Sequence, residues 1–171
     1  MMITQKHLKE ILDYNTETGI WTWRVNQARR IKIGQRAGTI ISDGHRHIGI
    51  SGKFYKAHRL AWLYMTGEFP KDEIDHINGV PDDNRWCNLR EATHQQNGCN
   101  RKRNENTKSG FRGVYEHTYA NNQLFWIASI WIDDTYKYLG TFECRHEAAL
   151  VYNHAAEKYY EKFARFNVVF A

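Results

Sequence analysis

No stretch of this 171-residue chain approaches the roughly 20 consecutive apolar residues that a membrane-spanning helix requires. The opening MMITQKHLKE also lacks the apolar core of a secretory signal peptide. Cysteine is scarce. Cys87, Cys99 and Cys144 are odd in number and have no pair spacing, which argues against a disulfide framework and suits a reducing compartment. The chain is therefore expected to be cytoplasmic, not secreted, and to have no membrane partner. A strong charge of one sign is missing too. The formal net charge of +5 favours nucleic acid over acidic small substrates without proving either.

Aromatic residues are plentiful at 14%, so a chain of this length can pack one good core or two small ones. The charge is unevenly spread. Residues 1–104 hold 17 Lys+Arg against 11 Asp+Glu, a net of +6, whereas residues 105–171 hold 7 against 8, a net of −1. Two basic clusters account for much of the excess. One is Arg29, Arg30, Lys32 and Arg36; the other is Arg101, Lys102 and Arg103. Each is either a solvated face or a contact for a phosphate backbone, and the second could also oppose a helix C-terminal dipole.

Three segments emerge, giving an α+β chain. Residues 1–57 open with a short helix around Gln5–Asp13, followed by strand-like runs broken by turns at Thr18-Gly19, Asp43-Gly44 and Ser51-Gly52. Asp43-Gly44 lies between GTIIS and HRHIGI, which reads as a hairpin. Residues 58–104 begin with a helix over His58–Tyr64, with Gly67 near its C-terminus. Lys102–Lys108, KRNENTK, has no apolar face and reads as a linker, which places the boundary between two domains at 104/105.

The richest chemistry lies between Glu73 and Arg103. Asp75-His76 is followed by a turn signal at Asn78-Gly79, by Asn88 twelve residues after His76, and by Asn97 nine residues later. Thr93-x-x-Gln96 reads as a capping box that starts a helix just before Asn97. A neutral imidazole such as His76 can take a proton from water near neutral pH. Asp75 and Asn97 offer hard oxygen donors suited to Mg²⁺ or Mn²⁺. On a regular strand Asp75 and His76 would face opposite sides, so the pair is expected where the strand runs out.

This joint spacing resembles the HNH, or ββα-metal, nuclease family. The resemblance implies that His76 is the general base, that Asp75 and Asn97 ligate one divalent cation, and that Asn88 braces the loop. Asn100, one helical turn beyond Asn97, is the alternative second ligand, although the spacing from Asn88 favours Asn97. Many relatives carry zinc-binding cysteine pairs around this helix. The matching positions here are Thr93 and Gln96, so no structural zinc is expected. LDYNTETGIWTWRV through AHRLAWLYMTGEFP is similar to the N-terminal part of small phage HNH endonucleases. His58 either faces DNA or is a satisfied structural histidine.

Residues 105–171 carry a second resemblance. Phe111-Arg112-Gly113-Val114, Trp126-Ile127-Ala128, Tyr138-Leu139-Gly140-Thr141-Phe142, Glu147-Ala148-Ala149 and Phe166-Asn167 are similar to the AP2/ERF DNA-binding domain. Three antiparallel strands and one helix are implied. Ala148, Ala155 and Ala156 would let the helix approach the sheet, and Tyr152 and Tyr159 would fill the gaps. The other sheet face would meet the DNA major groove. Tyr115, His117 and Trp131 stand where arginine is common in that family, whereas Arg112 and Trp126 remain as candidate DNA contacts. The family's sequence preference does not transfer, and a packing or protein-interaction module is the other reading of this segment.

Together the resemblances imply an HNH endonuclease of the phage homing type, acting on double-stranded DNA as a monomer or weak dimer in a phage-infected bacterial cell. A tethered module would add effective concentration and move specificity away from the scissile phosphate. The competing readings are a non-catalytic DNA-binding protein acting through the AP2-like module, and a general DNA-processing or RNA-cutting nuclease.

Overall fold

The computed structural model describes residues 3–26, 31–100 and 107–169. It is a mixed α+β chain made of several small antiparallel sheets, with four α-helices among the described residues. Two compact units form, Met1–His94 and Gln95–Ala171. The boundary expected at 104/105 and most of the expected linker lie outside the described residues. No helix among the described residues is long and apolar enough to cross a membrane.

The first unit opens with α1, Gln5–Ile11, whose Thr4 N-cap side chain accepts a hydrogen bond from the His7 amide at 3.3 Å. It ends two residues earlier than its sequence suggests, because Leu12 already begins β1, Leu12–Tyr14, paired with β2, Trp21–Trp23. Asn15 forms the turn between them, its side-chain oxygen accepting from the amides of Glu17 and Thr18. The next sheet has the order β3 (Thr39–Ile40), β4 (Arg46–Ile50), β5 (Lys53–Lys56). Asp43-Gly44 turns the chain from β3 to β4, and Ser51-Gly52 turns it from β4 to β5.

Helix α2, Ala57–Thr66, follows directly. It ends at Gly67, whose φ of 92° places it in the left-handed region while its amide bonds the Leu63 carbonyl. β6 (Glu73–His76) and β7 (Leu89–Ala92) then pair antiparallel, with Asp75 opposite Arg90 and His76 opposite Leu89. One apolar cluster joins these pieces. Leu8, Leu12, Trp21, Ile48 and Leu60 are fully buried in it, with Ile74 and Leu89 bringing the β6–β7 hairpin onto the same core. Helix α3, His94–Cys99, begins immediately after Thr93 and is a short element of six residues.

The second unit holds β8 (Val114–Thr118), β9 (Leu124–Ile132) and β10 (Thr135–Phe142), with β9 central. Helix α4, Arg145–Tyr160, covers one face and buries Ala148, Ala149, Tyr152, Ala155 and Ala156. Small side chains bring its backbone close to the sheet, as expected from composition. The closeness is tightest at Gly113, with φ of 68°, where a Cβ atom would run into the Tyr152 ring. A register shift between Tyr138 and Gly140 lets Leu139 turn into the core. The Asn167 side chain bonds the backbone of Arg112 in both directions, closing the unit's C-terminal strap over its beginning.

Candidate active site

His76 ends β6, and the chain turns immediately, the Gly79 amide bonding the His76 carbonyl at 2.7 Å. The loop from Ile77 to Asn88 is held by amides. The Asn88 side chain accepts from the Asn78 amide at 3.0 Å and donates to the Asp83 carbonyl at 2.8 Å and to the Asn78 side chain at 3.1 Å. The loop is also fastened from outside. Tyr14 donates its hydroxyl to the Asn84 carbonyl at 2.6 Å, and Arg46 forks onto Asp82 with two bonds of 2.9 Å. A nearly fully buried guanidinium paired in this way is a rigid anchor. Within the loop Arg85 grips Asp83, and that grip holds the carboxyl down at about 2.

Asp75 and His76 are both buried, and they diverge as strand alternation requires. Asp75 Oδ2 accepts two bonds from its cross-strand neighbour Arg90, from Nε at 2.7 Å and from Nη2 at 2.6 Å. His76 instead meets His45 and His58. Ring centroids lie 5.7 Å and 4.9 Å from His76, and His45 and His58 lie 5.0 Å apart. His76 Nε2 lies 3.4 Å from Asn84 Oδ1. Because Asn84 Nδ2 is spent on the Asp82 carbonyl at 3.1 Å, the atom facing His76 is an acceptor. Nε2 is therefore the protonated nitrogen, and the lone pair sits on Nδ1.

Burial keeps these rings neutral. It pushes His58 down to about 2, helped by the like charges of His76 and His45. Burial also lowers His76, opposed by its bond to Asn84, and lowers His45, assisted by Lys56. His45 Nδ1 lies 3.1 Å from the Asp43 carboxylate but out of line for a hydrogen bond. A neutral His76 with a fixed tautomer can accept a proton at neutral pH.

The other expected site residues divide between the two units. Asn97 lies on α3 in the second unit, and Asn100, just past that helix, is buried. Asn100 bonds the Asn97 carbonyl through its amide and takes an Arg165 bond on its own carbonyl. Lys32 and Arg36 are exposed, and Arg36 approaches Asp82 at 3.6 Å. Arg29, Arg30, Arg101, Lys102 and Arg103 lie outside the described residues.

Two expected DNA contacts turn inward instead. Trp126 shares the helix-covered face with Ala128 and Ile130 and packs against the Val114–Ala149 cluster. Two-residue alternation sends it there; Trp131, five residues on, faces the other way and is 57% exposed. Arg112 is half-buried and donates to the Cys99 carbonyl at 2.9 Å.

Residues 55–99 match the HNH endonuclease family. The match takes in α2, the β6–β7 hairpin and α3, and with them His58, Asp75, His76, Asn88 and Asn97. This HNH segment stops short of the second unit's sheet. An uncharacterized HNH endonuclease of Acanthamoeba polyphaga mimivirus is 32% identical over 114 residues, which cover 66% of this chain and 57% of that relative. The chain thus spans little more than half the length of the curated relative it matches. No solved structure matches the chain.

Sequence reasoning did not single out three residues that shape the surroundings of His76: His45, Asn84 and Arg46. Their signal was weak. His45 follows the Asp43-Gly44 turn and Asn84 sits in a polar loop, and only the fold brings either to His76.

Proposed function

We propose that this chain is a metal-dependent DNA endonuclease of the homing type, with His76 as its general base. The observation that carries this reading is His76 itself: buried, neutral and oriented by Asn84 at the end of β6, inside the segment that matches the HNH family. His76 Nδ1 takes the proton of an attacking water. Asn84 fixes the tautomer that leaves this nitrogen basic, and Asn88 keeps the turn after His76 in shape.

The buried Asp75 carboxylate is a hard donor that fits Mg²⁺ or Mn²⁺, and Arg90 orients it. The choice of Asn97 as its companion rests on sequence spacing. A divalent cation, when bound, supplies positive charge where the leaving 3′ oxygen becomes negative. The second unit serves as a DNA-contacting module of the AP2/ERF kind. Its open face carries Tyr115, Trp131, Tyr136 and Tyr138, each about half exposed. One site per chain makes the enzyme a nicking monomer, with a double-strand break needing a dimer or two events.

The Arg90 guanidinium on Asp75 favours a second reading, a non-catalytic DNA-binding protein, since it competes for the oxygen a cation would use. The test is incubation with supercoiled duplex DNA, single-stranded DNA and RNA, with Mg²⁺, Mn²⁺ or chelator. Metal-dependent cutting of duplex DNA supports the nuclease. Cutting of RNA alone overturns the substrate, and binding to duplex without any cutting moves the function to the second reading.

A further inference from the structure

The histidine cluster is larger than general-base chemistry requires. His45 precedes β4, His58 lies in the first turn of α2 and His76 ends β6, so three separate elements deliver one imidazole each. Their candidate ligand nitrogens all lie within 4.8 Å of one another. His58 and His76 are 4% and 6% exposed, which makes any ring nitrogen left without a partner costly. Yet Nδ1 of His58 is buried and makes no hydrogen bond, and Nδ1 of His45 meets only the out-of-line Asp43 carboxylate. Packing alone does not explain three converging polar rings where leucine would fill the space.

We propose that His45, His58 and His76 form a nitrogen-donor site for one borderline transition-metal ion of the zinc, cobalt or nickel type. The donor set decides the class. Three imidazoles, with the Asp43 carboxylate 3.1 Å from His45 Nδ1, suit such ions better than they suit Mg²⁺, Mn²⁺ or Ca²⁺, which prefer an all-oxygen shell. The site is therefore chemically distinct from the cation expected at Asp75. Three protein ligands leave a fourth position for water, as in an open zinc site. Bonds of about 2.0–2.1 Å draw the nitrogens closer together than in the metal-free cluster, a movement within reach of small ring rotations. His45, the least buried of the three, sits beside a turn and has the most room to move. The absence of cysteine pairs gave no hint of this site, because its ligands are 13 and 18 residues apart along the chain.

Occupancy removes the His76 lone pair from proton transfer, so a bound transition metal inhibits cleavage supported by Mg²⁺. This consequence rests on the nuclease reading; the binding itself does not. The test is titration of the untagged, metal-free full chain with Co²⁺, following its visible ligand-field bands, with Zn²⁺ as competitor. The expected result is one equivalent bound with the intense bands of a four-coordinate site, displaced by Zn²⁺. His45→Ala, checked for folding by circular dichroism, should bind at least about tenfold more weakly. His58→Gln provides a second variant with a similar loss. Absent bands, or bands unchanged in both variants, overturn the site. Cobalt binding in a chain that never cuts DNA sustains the site and overturns the nuclease reading. Cleavage by a chain that binds no cobalt does the reverse.

Discussion

The two units bury different things. The first encloses charge and polarity: the Asp75–Arg90 pair, the Arg46–Asp82 fork, Asn84, Asn88 and three imidazoles. The second buries alanines, aliphatic residues and Tyr152 under α4 and turns Tyr115, Tyr136, Tyr138 and Trp131 outward. Buried polar groups cost stability unless they are satisfied, and they are kept where chemistry uses them. An open aromatic face costs little and is the kind of surface a partner covers. On the proposed function, the contrast fits bond-making in the first unit and recognition in the second.

The contrast breaks most sharply at a buried charge. Arg90→Ala leaves the Asp75 carboxylate buried without its guanidinium and should cost about 3–5 kcal/mol in urea unfolding. A loss under 1 kcal/mol would mean that Asp75 is better hydrated than its burial implies. The second unit breaks by steric means instead. Gly113→Ala meets both the Tyr152 ring and a positive φ, and should cost about 2–3 kcal/mol, seen as loss of the second unit's thermal transition. The two tryptophans sharpen the same distinction. Trp126→Ala should destabilise by about 2 kcal/mol through lost packing. Trp131→Ala should change stability by less than ~0.5 kcal/mol. It should nevertheless weaken duplex-DNA binding by ~1 kcal/mol in a fluorescence titration.

A pH slope confined to the first unit separates the two by titration. His58 titrates near 6.5 when unfolded and about 2 when folded, so the unfolded chain binds the extra proton. Its contribution is complete above pH 6.5 and is lost as pH falls toward the folded value, with a slope approaching ~1.4 kcal/mol per pH unit. Urea midpoints across that range would report it, and His58→Gln should flatten the slope. The lowered His76 places the acid limb of cleavage below pH 6.5, with the base fully available at neutrality.

Local rules made much of this fold legible. Gly67 as a helix stop, Ser51-Gly52 and Asp43-Gly44 as turns, and Asn78-Gly79 as the strand exit all follow from backbone preferences that operate within a few residues. The three strands and helix of the second unit were expected from the resemblance of its motifs, and the alanines of α4 explain how closely that helix packs. The inward turn of Trp126 was readable too, since it shares parity with Ala128 and Ile130. What no local rule carries is the meeting of His45, His58 and His76, because three elements must pack before the rings approach. The pairing of Asp75 with Arg90 likewise depends on the β6–β7 register, which a twelve-residue separation between His76 and Asn88 does not specify.

The most direct test is cleavage of supercoiled duplex DNA with Mg²⁺ or Mn²⁺ by the wild-type chain and by His76→Ala. Nicking that requires metal and falls by about 10²–10⁴-fold in the variant is the predicted result. Equal cleavage by a folded His76→Ala protein, or intact DNA with both, would contradict His76 as the general base.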